Sequence, residues 1–249
     1  MITHTQPHCT TLSMAKRILV SVCSLCIMPA HVHGLDYLRD DPVATHQPIL
    51  YQVARATRGP IIEFGCGKGS TPLLHELCKE QGRMLISLDD DAAWLQSLAD
   101  RYRGDGYEED NQGWHQFYLV PGKGPTRSED PAHWVAFIES NTWLNSLHYG
   151  CCFIDQAPWL ARFETLKRFA AHSDYVVLHD CDYFPVHGIF GRTIKPTVNK
   201  QPGVFDFSDV FRVSQVFFPP APWPGETGPP TLVGSNLKSQ LPEIDPLLN

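Results

Sequence analysis

Four short stretches of this sequence carry residues suited to chemistry, and each follows an apolar run: Glu63-Phe64-Gly65-Cys66-Gly67-Lys68-Gly69-Ser70-Thr71, Asp89-Asp90-Asp91, Asp155, and His179-Asp180-Cys181-Asp182. Glycines without a Cβ let a turn bring its backbone against a ligand. The free N–H groups of a helix starting just after it then face polar ligand atoms. A carboxylate at a strand end accepts hydrogen bonds from sugar hydroxyls, and several together offer oxygen ligands to a hard cation. A histidine whose ordinary pKa lies near 6.5 takes a proton from a hydroxyl at neutral pH.

The elements that must position these groups follow from patterning. From residue 60 onward, short apolar runs alternate with helical stretches, which predicts a parallel sheet covered on both faces. Strands are expected at 60–64, 84–88, 115–120, 151–155 and 174–178. Helices are expected from Ser70-Thr71-Pro72 to about residue 80, over 92–102, over 131–147 and over 160–171. Two more runs, 211–218 and 230–234, suit a closing antiparallel pair, and residues 183–209 are irregular and rich in Gly, Pro and aromatics. In such sheets ligands sit beyond the carboxyl ends of the strands, which is where all four chemical stretches fall.

The glycine spacing separates this loop from two familiar ones. A phosphate loop needs Ser or Thr directly after its lysine, but Lys68 is followed by Gly69. The dinucleotide fingerprint needs Gly or Ala at position 70, where Ser70 stands. Glu63-x-Gly65-x-Gly67-x-Gly69 resembles motif I of the class I S-adenosylmethionine-dependent methyltransferases. The resemblance covers residues 60 to about 180. It implies a three-layer αβα sandwich around a seven-stranded, mostly parallel sheet with an antiparallel last strand. It implies S-adenosylmethionine as cofactor, with Glu63, Gly65, Gly67 and Gly69 against its methionine part. It also places Asp89, or Asp90 if the strand boundary slips by one, at the ribose hydroxyls; the three consecutive aspartates also suit a helix cap.

On the acceptor side, Asp155 and His179 are the candidate catalytic residues, with His179 either a general base or part of a structural network. Arg162, Tyr183, His187 and Arg192 lie near the same rim in sequence order. The cation-dependent O-methyltransferases, a subgroup of that family, carry acids after the fourth and fifth strands. By that resemblance Asp155, Asp180 and Asp182 are candidate ligands for a divalent cation such as Mg²⁺, although Cys181 interrupts the expected acidic pair. The other reading makes Asp155 an acceptor-side acid and Asp180 a cap. The implied reaction is O-methylation of a small molecule or saccharide acceptor. An NAD-dependent oxidoreductase and a non-catalytic nucleotide-binding module on the same fold are the alternatives.

Composition limits partners. A chain of 249 residues with 20 Lys+Arg against 27 Asp+Glu has no bulk field for nucleic acid. No run is long and apolar enough for an integral membrane segment. Residues 1–34, with Lys16-Arg17 ahead of an apolar run, suit a targeting or signal segment, leaving 35–249 as one domain with an acceptor-side insertion at about 183–209. A cytoplasmic protein is expected, with secretion or organelle targeting as the alternative. Of the eight cysteines, Cys66 sits in a glycine turn, Cys151 and Cys152 in an apolar run and Cys181 just past another, which suits buried thiols in a reducing compartment; Cys23-x-x-Cys26 has no second pair at metal-site spacing.

Overall fold

The computed structural model describes residues 41, 44–122, 131–181, 207, 209–218 and 229–245. The segment 1–34, Asp182, Tyr183, His187, Arg192 and nearly all of the 183–209 insertion lie outside the described residues. The apolar runs form β1 (Ile61–Phe64), β2 (Leu85–Asp89), β3 (His115–Leu119), β4 (Tyr149–Ile154), β5 (Ser173–His179), β6 (Val213–Phe217) and β7 (Thr231–Ser235). Helices α1 (Gln47–Ala56), α2 (Thr71–Gln81), α3 (Ala92–Ala99), α4 (Ala132–Ser140), α5 (Thr142–Ser146) and α6 (Trp159–Phe169) cover them.

The seven strands lie in the order β3-β2-β1-β4-β5-β7-β6. The first five are parallel, while β7 runs antiparallel to both β5 and β6. β1, β2 and β4 are buried along their whole length, as strands covered on both faces must be. Alternate residues serve opposite faces: Ile61 packs with Leu73, Leu77 and Phe153, and Ile62 and Phe64 pack with Trp134, Leu144 and Phe169. The chain order reverses between β1 and β4, and a crevice at such a switch point is where sheets of this kind bind ligands.

Three features depart from the sequence patterning. Helix α1 precedes β1, although the alternating pattern starts only at residue 60; it packs Leu50, Val53 and Ala54 into the core shared with α2. The single helix expected over 131–147 is broken at Asn141, whose φ of −102° and ψ of 68° leave the helical region. The Asn141 side-chain amide and its backbone N–H both donate to the Phe137 carbonyl, which ends the helical ladder there. The closing pair is not appended in chain order, because β7 inserts between β5 and β6.

Candidate functional site

The loop between β1 and α2 is built from below. Gly65 has φ +86°, and a Cβ there would stand 2.5 Å from the Gln156 backbone nitrogen, so only glycine fits between β1 and the end of β4. At Gly67 the nearest atom to an added Cβ is Ser70 Oγ at 3.5 Å, which leaves room on the crevice side. A Cβ at Gly69 would lie 3.2 Å from the imidazole of His46.

Glu63 lies beneath this loop rather than on its ligand face, with no exposed surface. Its carboxylate accepts from the Thr71 hydroxyl at 3.0 Å and from the Ser87 hydroxyl at 2.8 Å. Thr71 Oγ1 in turn accepts from the Gly67 N–H at 3.0 Å, so Glu63 sets the turn through Thr71. Burial pushes the Glu63 carboxyl up to about 7, against the hydrogen bonds of Ser70, Ser87 and Thr71 and with the charge of Asp89 adding to the rise.

Asp89 ends β2 and ties it to the same loop. Its Oδ2 accepts from the Cys66 N–H at 2.9 Å and its Oδ1 from the Asp91 N–H at 2.8 Å. Burial raises this carboxyl to about 6, opposed by the N–H groups of Asp91 and Cys66. Asp90 takes another partner, His133 Nε2 at 2.8 Å. Asp91 caps α3, accepting from the Ala93 and Trp94 N–H groups at 3.1 Å, so one member of the acidic run is a cap.

A buried polar chain continues from Glu63. The Ser87 hydroxyl gives its proton to Glu63, and His115 Nε2 stands 3.1 Å from Ser87 Oγ. His115 therefore donates from Nε2 and accepts at Nδ1, where His75 Nδ1 lies 2.9 Å away. Burial, with the His75 charge adding, lowers the His115 pKa to about 2 and keeps the ring neutral.

The acceptor side is charged instead. Arg162 is buried at 5% exposure and knits the ends of β4 and β5. Its Nε donates to the Gln156 carbonyl at 2.8 Å, and its two terminal nitrogens donate to the carbonyls of His179 and Asp155, both at 3.0 Å. The same guanidinium pairs with Asp155 Oδ1 at 2.8 Å and Asp180 Oδ2 at 2.9 Å. Asp180 reaches it from a left-handed backbone, φ +52°. Arg162, near the rim by sequence order, thus lies inside as a clamp. The two carboxylates expected to share an oxygen-ligated ion converge on this guanidinium, so an oxygen-only Mg²⁺ or Ca²⁺ cage does not fit them.

Behind Asp155, His179 Nδ1 stands 3.2 Å from Asp155 Oδ1, and Nε2 stands 3.3 Å from Thr45 Oγ1. Burial pushes Asp155 upward, but the charges of His179 and Arg162 outweigh it and hold the carboxyl down to about 2. Burial likewise lowers the His179 pKa, yet Asp155 and Asp180 overcome it and the net shift is upward. The His46 ring packs edge-on against His179, centroids 4.4 Å apart, and tilted against Phe153 at 4.9 Å. His46 and Thr45 were not among the candidates of the sequence. They arrive with α1, and nothing in the local pattern around residue 46 links it to residues 155 and 179.

No family model matches the chain, and no curated protein does. Among solved structures, spermidine synthase from Thermotoga maritima is similar at 13% identity and TM-score 0.46, covering 84% of this chain and 62% of its own; the chain thus spans less than two thirds of that protein. The methyltransferase domain of a bacterial protein, CtHen1-C, matches at 13% identity and TM-score 0.46, over 78% of this chain and 98% of its own. Human methyltransferase-like protein 13, in complex with SAH, matches at 12% identity and TM-score 0.45, over 83% and 84%. The decisive observation is internal: five parallel strands in the order β3-β2-β1-β4-β5, with an antiparallel β7 inserted before β6. The chain has the doubly wound αβα architecture that the sequence resemblance implies. In that fold the glycine loop, Asp89 and the Asp155–His179 cluster all stand at the carboxyl ends of β1, β2, β4 and β5. No helix among the described residues is long and apolar enough to cross a membrane.

Proposed function

We propose that the protein transfers a methyl group from S-adenosylmethionine to a hydroxyl of a small-molecule or saccharide acceptor. The observation that carries the reading is the contact between the two halves of the site. Gly69 of the glycine loop lies against His46, whose ring touches His179 and whose donor atom falls within 4.8 Å of Asp155. A donor cradled by the loop would thus have the charged cluster beside it.

The residues present fit that donor. Gly65 lets the loop turn tightly against the end of β4, Gly67 leaves bare backbone with open space beside it, and Asp89 is the ribose candidate, already fixed by two backbone N–H groups at the end of β2. Asp90, engaged by His133, borders it. Bound there, the donor supplies a methyl group already activated on a sulfonium. The protein's share is alignment and removal of one proton. Asp155, with 24% of its side chain exposed, is the group open to the acceptor, and His179, at 3%, backs it. An oxygen that has just gained a methyl group carries a proton far more acidic than a carboxylic acid. Asp155 can therefore take it even with its carboxyl held near 2, while His179 and Arg162 keep the carboxylate oriented.

Donor binding tests the reading directly. Calorimetric titration with S-adenosylmethionine and its demethylated product should show one site, and NAD should show none. Gly67→Leu should keep the wild-type unfolding midpoint, because an added Cβ meets nothing closer than Ser70 Oγ at 3.5 Å, and should weaken donor binding by at least ~100-fold. An unchanged donor affinity in a folded Gly67→Leu protein would refute the assignment.

A further inference from the structure

The chemistry of His179 is fixed by its neighbours. The Thr45 hydroxyl has one proton, and it is given to the Pro229 carbonyl at 2.7 Å. Towards His179 Nε2, 3.3 Å away, Thr45 Oγ1 can only accept. The second polar group near Nε2, Asp180 Oδ1 at 3.7 Å, is also an acceptor. Nε2 therefore carries a hydrogen, and in the neutral ring Nδ1 presents a lone pair to Asp155 Oδ1 at 3.2 Å. Two acceptors so placed need a cation between them, either a proton or a metal ion. A proton bridges two donor atoms. Here a third converges, because one donor atom each of His46, Asp155 and His179 lies within 4.8 Å of the other two.

We propose that His46, Asp155 and His179 form a three-ligand site for a divalent first-row transition-metal ion, Zn²⁺ or a similar cation, with its remaining position open to the acceptor. Two imidazoles and one carboxylate select such ions over Mg²⁺ and Ca²⁺, which prefer oxygen alone. Ligands about 2.0–2.2 Å from a tetrahedral ion stand roughly 3.3 Å apart, close to the 3.2 Å between Nδ1 and Oδ1, and His46 offers its donor atom within 4.8 Å of both. The three come from different elements: the residue before α1, the residue after β4 and the last residue of β5. Three protein ligands and an open position are the pattern of reactive rather than structural zinc sites. The outer partners are in place too. Thr45 orients the His179 ring and Arg162 orients Asp155, as such sites require. Asp155 and Asp180 against one Arg162 leave a net negative charge for the ion. An ion there would lower the pKa of a bound acceptor hydroxyl, which rests on the methyl-transfer reading above.

Cobalt tests this without recourse to activity. Chelator-stripped full-length protein titrated with Co²⁺ should develop visible absorption bands that saturate at one ion per chain and vanish when Zn²⁺ is added. His46→Ala and His179→Gln should each weaken Co²⁺ binding at least ~10-fold, while His148→Gln, on the exposed face, should leave it unchanged. Wild-type protein with no saturable band, or a His46→Ala variant that binds Co²⁺ as tightly, overturns the site. Donor titration of the same sample separates the two readings. Donor binding without cobalt binding removes only the ion, and cobalt binding without donor binding removes only the methyltransferase.

Discussion

The two halves of the crevice use the same residue types and shift their protonation equilibria in opposite directions. Under the glycine loop, Glu63 and Asp89 rise to about 7 and about 6, and His115 falls to about 2. Burial there favours every neutral form. Around β4 and β5, Asp155 falls to about 2 and His179 shifts upward, so both shifts favour the charged form. The difference is the company. Glu63 is bound by hydroxyls and feels the like charge of Asp89, whereas Asp155 lies 2.8 Å from a guanidinium and 3.2 Å from an imidazole. Burial alone neutralises a titratable group, and burial beside an opposite charge ionises it.

The largest effect should come from removing the cation that makes the acceptor half what it is. Arg162→Met leaves Asp155 and Asp180 without their shared partner and five donor contacts unmade, and should cost about 3–5 kcal/mol in urea unfolding. Arg162→Lys keeps the charge without the fork and should fall between. A loss below 1 kcal/mol in Arg162→Met would show that the clamp is dispensable.

The next effect belongs to the donor half and depends on pH. Glu63 titrates near 4.5 in the unfolded chain and about 7 in the fold, so the folded state binds the proton more tightly. Its contribution to stability is complete below about pH 4.5 and is lost as pH rises to 7, a change of about 3 kcal/mol. Glu63→Gln cannot titrate. Unfolding free energies measured at pH 4.5 and pH 8 should therefore fall by about 3 kcal/mol more in the wild type than in the variant. Equal pH dependence in both would mean that Glu63 is ionised under the loop and that the two halves are alike.

The smallest effect sharpens the same contrast. His115→Phe keeps the volume but leaves Ser87 and His75 each short of a partner, at a cost of about 1–2 kcal/mol. Because the His115 ring is neutral in the fold, the loss should be the same at pH 7 and pH 8, as paired melts would record.

Legibility differed between the halves for a physical reason. The donor half is written in contiguous residues: an apolar run, three spaced glycines and a following acid are local signals, and the turn at Gly65 demands glycine wherever the rest of the chain goes. The burial of Glu63 was not legible, because Ser87 is supplied by the next strand. The acceptor half depends on register between distant elements. Asp155 and His179 were visible as strand-end residues, but that Arg162 lies inward between them depends on how α6 docks. His46 depends on α1, whose apolar face is matched to β4 and β5 only after folding. The break at Asn141 eluded periodicity because Trp134, Phe137, Ile138 and Leu144 fall near a 3.6-residue period across it.

The insertion of β7 bears on the order in which the molecule can be completed. His179 pairs with Thr231, the Cys181 N–H donates to the Pro230 carbonyl, and the Thr45 hydroxyl donates to Pro229. A nascent chain that has emerged only through β6 carries an open edge along β5 and lacks both the strand partner of His179 and the Pro229 carbonyl that fixes Thr45. The cluster is therefore finished by nearly the last of the described residues to leave the ribosome, and a nascent chain stalled before residue 229 would expose a sticky sheet edge instead of a working crevice.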